Sequence, residues 1–342
     1  MTKAAVFLGN GKIEIQDIPQ PKPEKGEALV KVGLCGVCGT DVHIFNGELR
    51  VAKPPVVLGH EISGEVIALG EGVAGFEMGQ HVAVNPVIGC GQCEFCHSGR
   101  SNLCSKQAVI GYIRNGGFAQ YVSVPVTHLC PLKTSTSHKA GILVETLACV
   151  LNGYDRLQVK AGQSALILGA GTVGLLWNQM LLSSPITKLL QTELVNYRRQ
   201  KAQKLGAHFV FDGSSADLAG EISKVCPEGV DNIIDATGNA VAVAQAIPWV
   251  RKGGTFMIFG VCAEDTKISL SPFEIYQREM KITAAKMPPG TFDRSAKLLE
   301  SGRINVDEIV TTILPLEQID EGLGHFTSRR DRAVKIAIDP WA

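Results

Sequence analysis

Cys90, Cys93, Cys96 and Cys104 are separated by two, two and seven residues. Four thiolates so close in sequence can wrap one tetrahedral zinc ion and fill all of its positions. A closed shell admits neither water nor substrate, so this lobe is expected to hold a loop rather than perform chemistry. Free cysteines rarely fall at such spacing by chance. An iron–sulfur cluster usually needs other spacing and a proline after the last cysteine, where Ser105 stands.

A second group is dispersed: Cys38-Gly-Thr-Asp41-Val-His43, then Gly59-His60-Glu61, then Glu145. A catalytic zinc takes about three protein ligands of mixed sulfur, nitrogen and oxygen type and keeps one exchangeable position. Cys38, His60 and one or two of the carboxylates Glu61 and Glu145 supply that set. Cys35 completes a Cys-x-x-Cys with Cys38, but no βαβ context supports a redox pair there, so Cys35 is read as packing.

The third motif is Gly169-Ala-Gly171-Thr172-Val173-Gly174, which follows an apolar strand and opens a helix. Its glycines permit a tight turn and close approach of a pyrophosphate to the helix N-terminus. Glu193, at the end of the next strand, stands where an acid binds the ribose hydroxyls and repels a 2′-phosphate. NAD is therefore expected over NADP. Arg198 and Arg199 follow closely and could partner a phosphate.

These groups need elements to position them. Before residue 150 the chain reads as short strands: Ala28–Val32 alternates, Glu65–Leu69 follows a glycine, and His81–Val84 precedes Asn85-Pro86. Turn signals recur at short intervals, as in an antiparallel barrel or sandwich. After 150 the rhythm becomes βαβ. Strands are predicted at 164–168, 188–193, 232–235 and 255–259, with helices at 172–182 and 196–205, hence a doubly wound parallel sheet. A helix at 294–301 and a strand at 333–338 close the chain.

With 342 residues, about two domains are expected. The 33 basic residues balance 33 acidic ones, so no electrostatic footprint points to nucleic acid or an anionic membrane. No apolar run has the length of a membrane span and no secretory leader is legible, so a cytoplasmic location is expected.

Taken together and in order, these motifs resemble the zinc-dependent medium-chain dehydrogenase/reductase family. Arg-Lys-Gly-Gly at 251–254 and the closing Val-Lys-Ile strand extend the likeness over nearly the whole chain. The resemblance implies a mainly antiparallel β, GroES-like catalytic domain at 1–150, with the zinc lobe at 85–110. A Rossmann NAD-binding domain would follow at 151–289, and 290–342 would return to the catalytic domain. It implies two zinc ions per subunit. One, catalytic, is held by Cys38 and His60, with Glu61 and Glu145 as ligands or near-ligands that exchange with water. Asp41 matches the carboxylate orienting the zinc-bound histidine, Thr40 the hydroxyl taking the substrate proton, and His43 the end of that relay. The implied reaction is reversible oxidation of an alcohol to a ketone or aldehyde, with hydride passing to the nicotinamide. Homodimers or homotetramers are common among such enzymes.

Leu-Val-Glu145-Thr-Leu-Ala-Cys is most similar to the sorbitol and polyol dehydrogenases, although those usually have Glu-Pro-Leu and Thr146 replaces the proline. Sorbitol enzymes also carry a Phe-Arg pair after the Rossmann domain, and Met287, beside Lys286, falls at that arginine. A sugar alcohol other than sorbitol, oxidised at a secondary hydroxyl to a ketose, is therefore the expected substrate. Asn85, Phe118 and Lys286 are candidate pocket residues. The alternative is an L-threonine 3-dehydrogenase or butanediol-type enzyme. Threonine dehydrogenases share Cys-Gly-Thr-Asp-Val-His but tend to have a histidine where Val87 stands. A non-catalytic structural protein on this fold would be expected to lose zinc ligands or the glycine motif, and both are complete.

Overall fold

Alternating apolar residues around Ala28–Val32 lie within a longer strand, Glu27–Gly36, that organises the first half of the molecule. The computed structural model describes residues 1–328 and 333–342. It divides into two units, Met1–Ala148 with Met287–Ala342, and Cys149–Lys286.

In the first unit, Glu27–Gly36 pairs antiparallel with Glu61–Leu69 on one side and with Lys335–Asp339 on the other. The sheet continues outward to His81–Val84 and Leu129–Pro131 at one end and to Val310–Pro315 at the other. Among the described residues only Val310–Pro315 and Lys335–Asp339 run parallel in it. The register sets Gly36 opposite both Glu61 and Ala337, which brings three distant stretches of sequence to one point. Val30, Val32, Ile62, Val66, Val82 and Ile338 fill the core behind that point.

The second unit has a six-stranded parallel sheet. Its order is Phe209–Asp212, Lys188–Glu193, Ser164–Leu168, Val230–Asp235, Val250–Ile258 and Lys281–Ala284. The central strand Ser164–Leu168 is buried throughout, as its unbroken apolar run requires. Strand order reverses beside it, and at such a switch point the doubly wound fold opens a crevice for a nucleotide. The fold is α/β.

One element departs from the sequence expectation. The stretch before residue 150, read as strands, ends in the helix His138–Leu157. Its Ile142, Leu143, Val144, Leu147, Ala148, Val150 and Leu151 are all buried. A helix covered on most sides shows no 3.6-residue alternation of apolar and polar residues, which is why the pattern concealed it.

Candidate active site

Cys38 caps the short helix Gly39–Phe45, and the backbone N–H of Cys38 donates to Asp41 Oδ2 at 3.0 Å. The other oxygen of Asp41 faces His60 Nδ1 at 3.2 Å. Asp41, fully buried, thus fixes both the helix start that carries Cys38 and the ring of His60. With Nδ1 occupied, Nε2 is the nitrogen left to bind a metal, an arrangement that raises ligand basicity. Donor atoms of Cys38, His60 and Glu61 lie within 4.8 Å of one another. Glu145 is buried but stands outside this close group.

Burial disfavours an imidazolium at His60, yet the charges of Asp41 and Cys38 outweigh it and raise His60 well above the usual histidine range. A pocket lined by a thiol, an imidazole and carboxylates, with donor atoms this close together, fits a divalent cation of the zinc type. Lys335, the one buried lysine or arginine among the described residues, pairs with Glu61 Oε2 and donates to the Val37 carbonyl at 2.9 Å. Thr146 donates its hydroxyl to Glu61 Oε1 at 2.8 Å. Gly36 makes room for the pair: a Cβ there would meet the Glu61 carboxylate and come within 2.8 Å of Lys335 Cε.

The four cysteines of the lobe also converge, their sulfurs within 4.8 Å of one another. Cys93 and Cys96 are 3.5 Å apart, and the N–H groups of Cys90 and Lys106 donate to Cys104 Sγ. The Gln92 N–H, with the neighbouring thiols, holds Cys90 down at about 6. Burial pushes Cys96 the other way, up to about 11, whereas the thiolate that Cys90 favours is the form that binds zinc.

In the second unit Gly171 caps the helix Thr172–Leu182, and the space before its Cα is open, so a pyrophosphate can approach the first-turn N–H groups. Glu193 accepts from Ala170 N–H at 2.8 Å and from Leu194 and Val195 N–H at 2.8 and 3.0 Å. Behind the loop, Gln191 donates to the Gly169 carbonyl at 2.9 Å and accepts from Asn178 at 2.8 Å. These internal hydrogen bonds hold the loop from within the protein.

Residues 24–134 match the alcohol dehydrogenase GroES-like domain, and residues 172–301 match the zinc-binding dehydrogenase domain. D-arabinitol dehydrogenase 1 of Uromyces fabae is 33% identical, over 94% of this chain and 92% of its own length. The chain belongs to the zinc-binding dehydrogenases. D-altritol 5-dehydrogenase of Agrobacterium fabrum is 34% identical to this dehydrogenase over 92% of the chain and 93% of the relative. A zinc-binding dehydrogenase from Sinorhizobium meliloti, solved with NADP, superposes with a TM-score of 0.95 at 33% identity, covering 99% of both chains.

Within this zinc-binding dehydrogenase the expected residues fall as follows. Cys38, His60 and Glu61 meet, as do the four lobe cysteines. Thr40 Oγ1 is 3.7 Å from Cys38 Sγ. His43 is half-buried and faces Glu48 at 2.5 Å. Arg199 is committed to Asp212 and to the carbonyls of Glu193 and Leu194. Of the candidate pocket residues, Phe118 is fully buried against Gly59, and the side-chain Oδ1 of Asn85 accepts from Val87 N–H. Sequence reasoning missed Lys335, which looked like one more strand residue, and Tyr112, whose hydroxyl is 3.4 Å from His60 Nε2. Thr146 was visible only as a departure from the family pattern.

Proposed function

We propose that the protein oxidises a secondary hydroxyl of a sugar alcohol to a ketose, reversibly, with NAD as hydride acceptor. The convergence of Cys38, His60 and Glu61, with Asp41 locked behind His60, carries this reading. Cys38 and His60 would hold a catalytic zinc ion, Glu61 and Glu145 would serve as exchanging or neighbouring carboxylates, and Cys90, Cys93, Cys96 and Cys104 a structural one. When bound, zinc lowers the pKa of an alcohol and nicotinamide accepts a hydride. Thr40 would take the alcohol proton, and His43, three residues on along the same helix, would pass it toward solvent. Gly169, Gly171, Thr172, Val173 and Gly174 would cradle the pyrophosphate, with Glu193 and Arg198 at the adenosine ribose. The Glu193 carboxylate supports NAD over NADP by charge. The polyol assignment is supported by the arabinitol and altritol enzymes among its relatives.

A homodimer or homotetramer is the assembly we assign. The outermost strand, Lys281–Ala284, supports it by leaving a sheet edge unpaired among the described residues, with Ile282 exposed on it. No helix among the described residues is long and apolar enough to cross a membrane. A reducing cytoplasm, where thiolate ligands persist, is the compartment this reading implies.

The test is NADH formation by zinc-replete protein across four- to six-carbon polyols, with threonine, 2,3-butanediol and primary alcohols alongside. A preference for one polyol stereoisomer is expected. Turnover of threonine with silence on every polyol would sink the assignment.

A further inference from the structure

Tyr112 lies in the turn that follows the short strand Ala108–Val109. Its N–H donates to the Val109 carbonyl and its own carbonyl accepts from Lys53. The preceding residue, Gly111, has φ of +92°, a region costly for any side chain, and a Cβ there would come within 2.8 Å of the Gly59 carbonyl. The turn is therefore packed directly onto Gly59 and His60. That packing delivers the tyrosine ring edge-on to the His60 ring, centroids 5.1 Å apart, with the side chain buried.

The hydroxyl ends 3.4 Å from His60 Nε2, the nitrogen left for the metal once Asp41 holds Nδ1. This is long for a hydrogen bond. It is close to the separation of about 3.3 Å between neighbouring ligands of a tetrahedral ion with bonds of about 2.0 Å. A metal ion held on Nε2 would therefore have this hydroxyl beside it, so the tyrosine would do more than brace the histidine. The Thr40 hydroxyl, 3.7 Å from Cys38 Sγ, stands on the other side of the same candidate ligands. Cys38, Asp41 and Glu145 are all near enough to act on the Tyr112 hydroxyl electrostatically. Two hydroxyls from separate elements thus converge beside the candidate metal ligands.

We propose that Tyr112 is a catalytic residue whose hydroxyl, paired with that of Thr40, hydrogen-bonds the reacting oxygen of the substrate and shares in moving its proton. The inference rests on the dehydrogenase reading given above. In the oxidation the carbinol C–H bond breaks with its electron pair and goes to nicotinamide as hydride. The O–H proton passes to the hydroxyl pair, which releases one of its own protons toward solvent and ends each turnover unchanged. In the reduction the same pair donates to the carbonyl oxygen. Tyrosine suits this task because its hydroxyl both donates and accepts.

The test is Tyr112→Phe, which keeps the ring and its packing and removes only the oxygen. Metal content, NAD affinity and melting temperature should match the parent. Both kcat and kcat/KM for the preferred alcohol should fall about 100-fold, the size expected for a lost proton-transfer partner. In the cobalt-substituted protein, binding of trifluoroethanol, which is not readily oxidised, is followed by visible absorption. Its affinity should drop about fivefold, the worth of one hydrogen bond. Unchanged kcat with unchanged trifluoroethanol affinity would overturn the proposal. Loss of the metal ion held by Cys38 and His60 would also overturn it, by showing that the hydroxyl merely supports His60. Should the parent prefer an alcohol that is not a polyol, the substrate reading fails while Tyr112 is still judged on that alcohol and on trifluoroethanol.

Discussion

Lys335 and Glu61 form an ion pair in which neither side chain reaches solvent. The ammonium is also anchored on the Val37 carbonyl, and Glu61 raises it above the usual lysine range despite burial. Removing one member of such a pair strands the other charge. Lys335→Met is expected to destabilise the first unit by about 3–5 kcal/mol. Lys335→Met with Glu61→Gln should recover most of that loss, as urea denaturation of both variants will show.

Thr146 closes the other side of the same carboxylate. A hydrogen bond to a charged acceptor is worth about 1.5–3 kcal/mol. Thr146→Val keeps the shape and should cost about that much in denaturant midpoint. A cost near zero would mean that Glu61 finds another donor there.

The lobe is predicted to hold its metal independently of the dispersed site. Cys104→Ser should reduce zinc content by one ion per subunit, measured by mass spectrometry, and make the loop between Cys90 and Cys104 sensitive to protease. NAD affinity should be unaltered. Two ions lost together would show that the sites are coupled.

His138 begins the helix that conceals its pattern, and its ring stacks on His81 with centroids 5.3 Å apart. Burial and the His81 charge hold it below the usual histidine value, although Glu65 and Asp339 pull the other way. The folded protein therefore binds this proton less readily than the unfolded chain. Its contribution is complete above the ordinary histidine value of about 6.5 and is lost as pH falls through that value toward the lower folded one. Urea midpoints measured from pH 7.5 down to pH 5 should decline, and His138→Gln should flatten part of the decline.

Glu193 caps three backbone N–H groups beside the glycine loop. Glu193→Ser should weaken NAD binding about tenfold and narrow or reverse the preference over NADP, since the repelling charge is gone. Fluorescence titration with both dinucleotides measures this. An unchanged ratio would remove Glu193 from cofactor choice.

The parallel half was legible because its signals are local: an apolar strand, a glycine turn and a helix follow within a few residues. Ser164–Leu168 and Thr172–Leu182 have the bounds that their sequence predicts. The convergence of the candidate metal ligands was legible because thiols and imidazoles are scarce and their spacing is distinctive. What stayed hidden is set by tertiary pairing. Nothing in Lys335 as a sequence residue says that the register of two strands will aim it at Glu61. Tyr112 is one aromatic in a glycine-rich turn until that turn folds over His60. The helix His138–Leu157 was hidden for the opposite reason: burial on most sides erases the periodicity that helix reading depends on.

The strand that bears Lys335 has a consequence for the order of events in synthesis. Lys335 lies 298 residues beyond the Val37 carbonyl that it grips. A ribosome therefore completes Cys38, His60 and Glu61 long before their counter-charge exists. Until then the Cys35–Gly36 end of Glu27–Gly36 is an open edge, and a carboxylate destined for the interior has no cation to accompany it. The nascent first half must wait, with Glu61 hydrated, for the end of the chain to insert beside it. Contacts this distant in sequence form slowly, so a message cut short before residue 335 would yield a protein with every candidate metal ligand but no means of burying one of them.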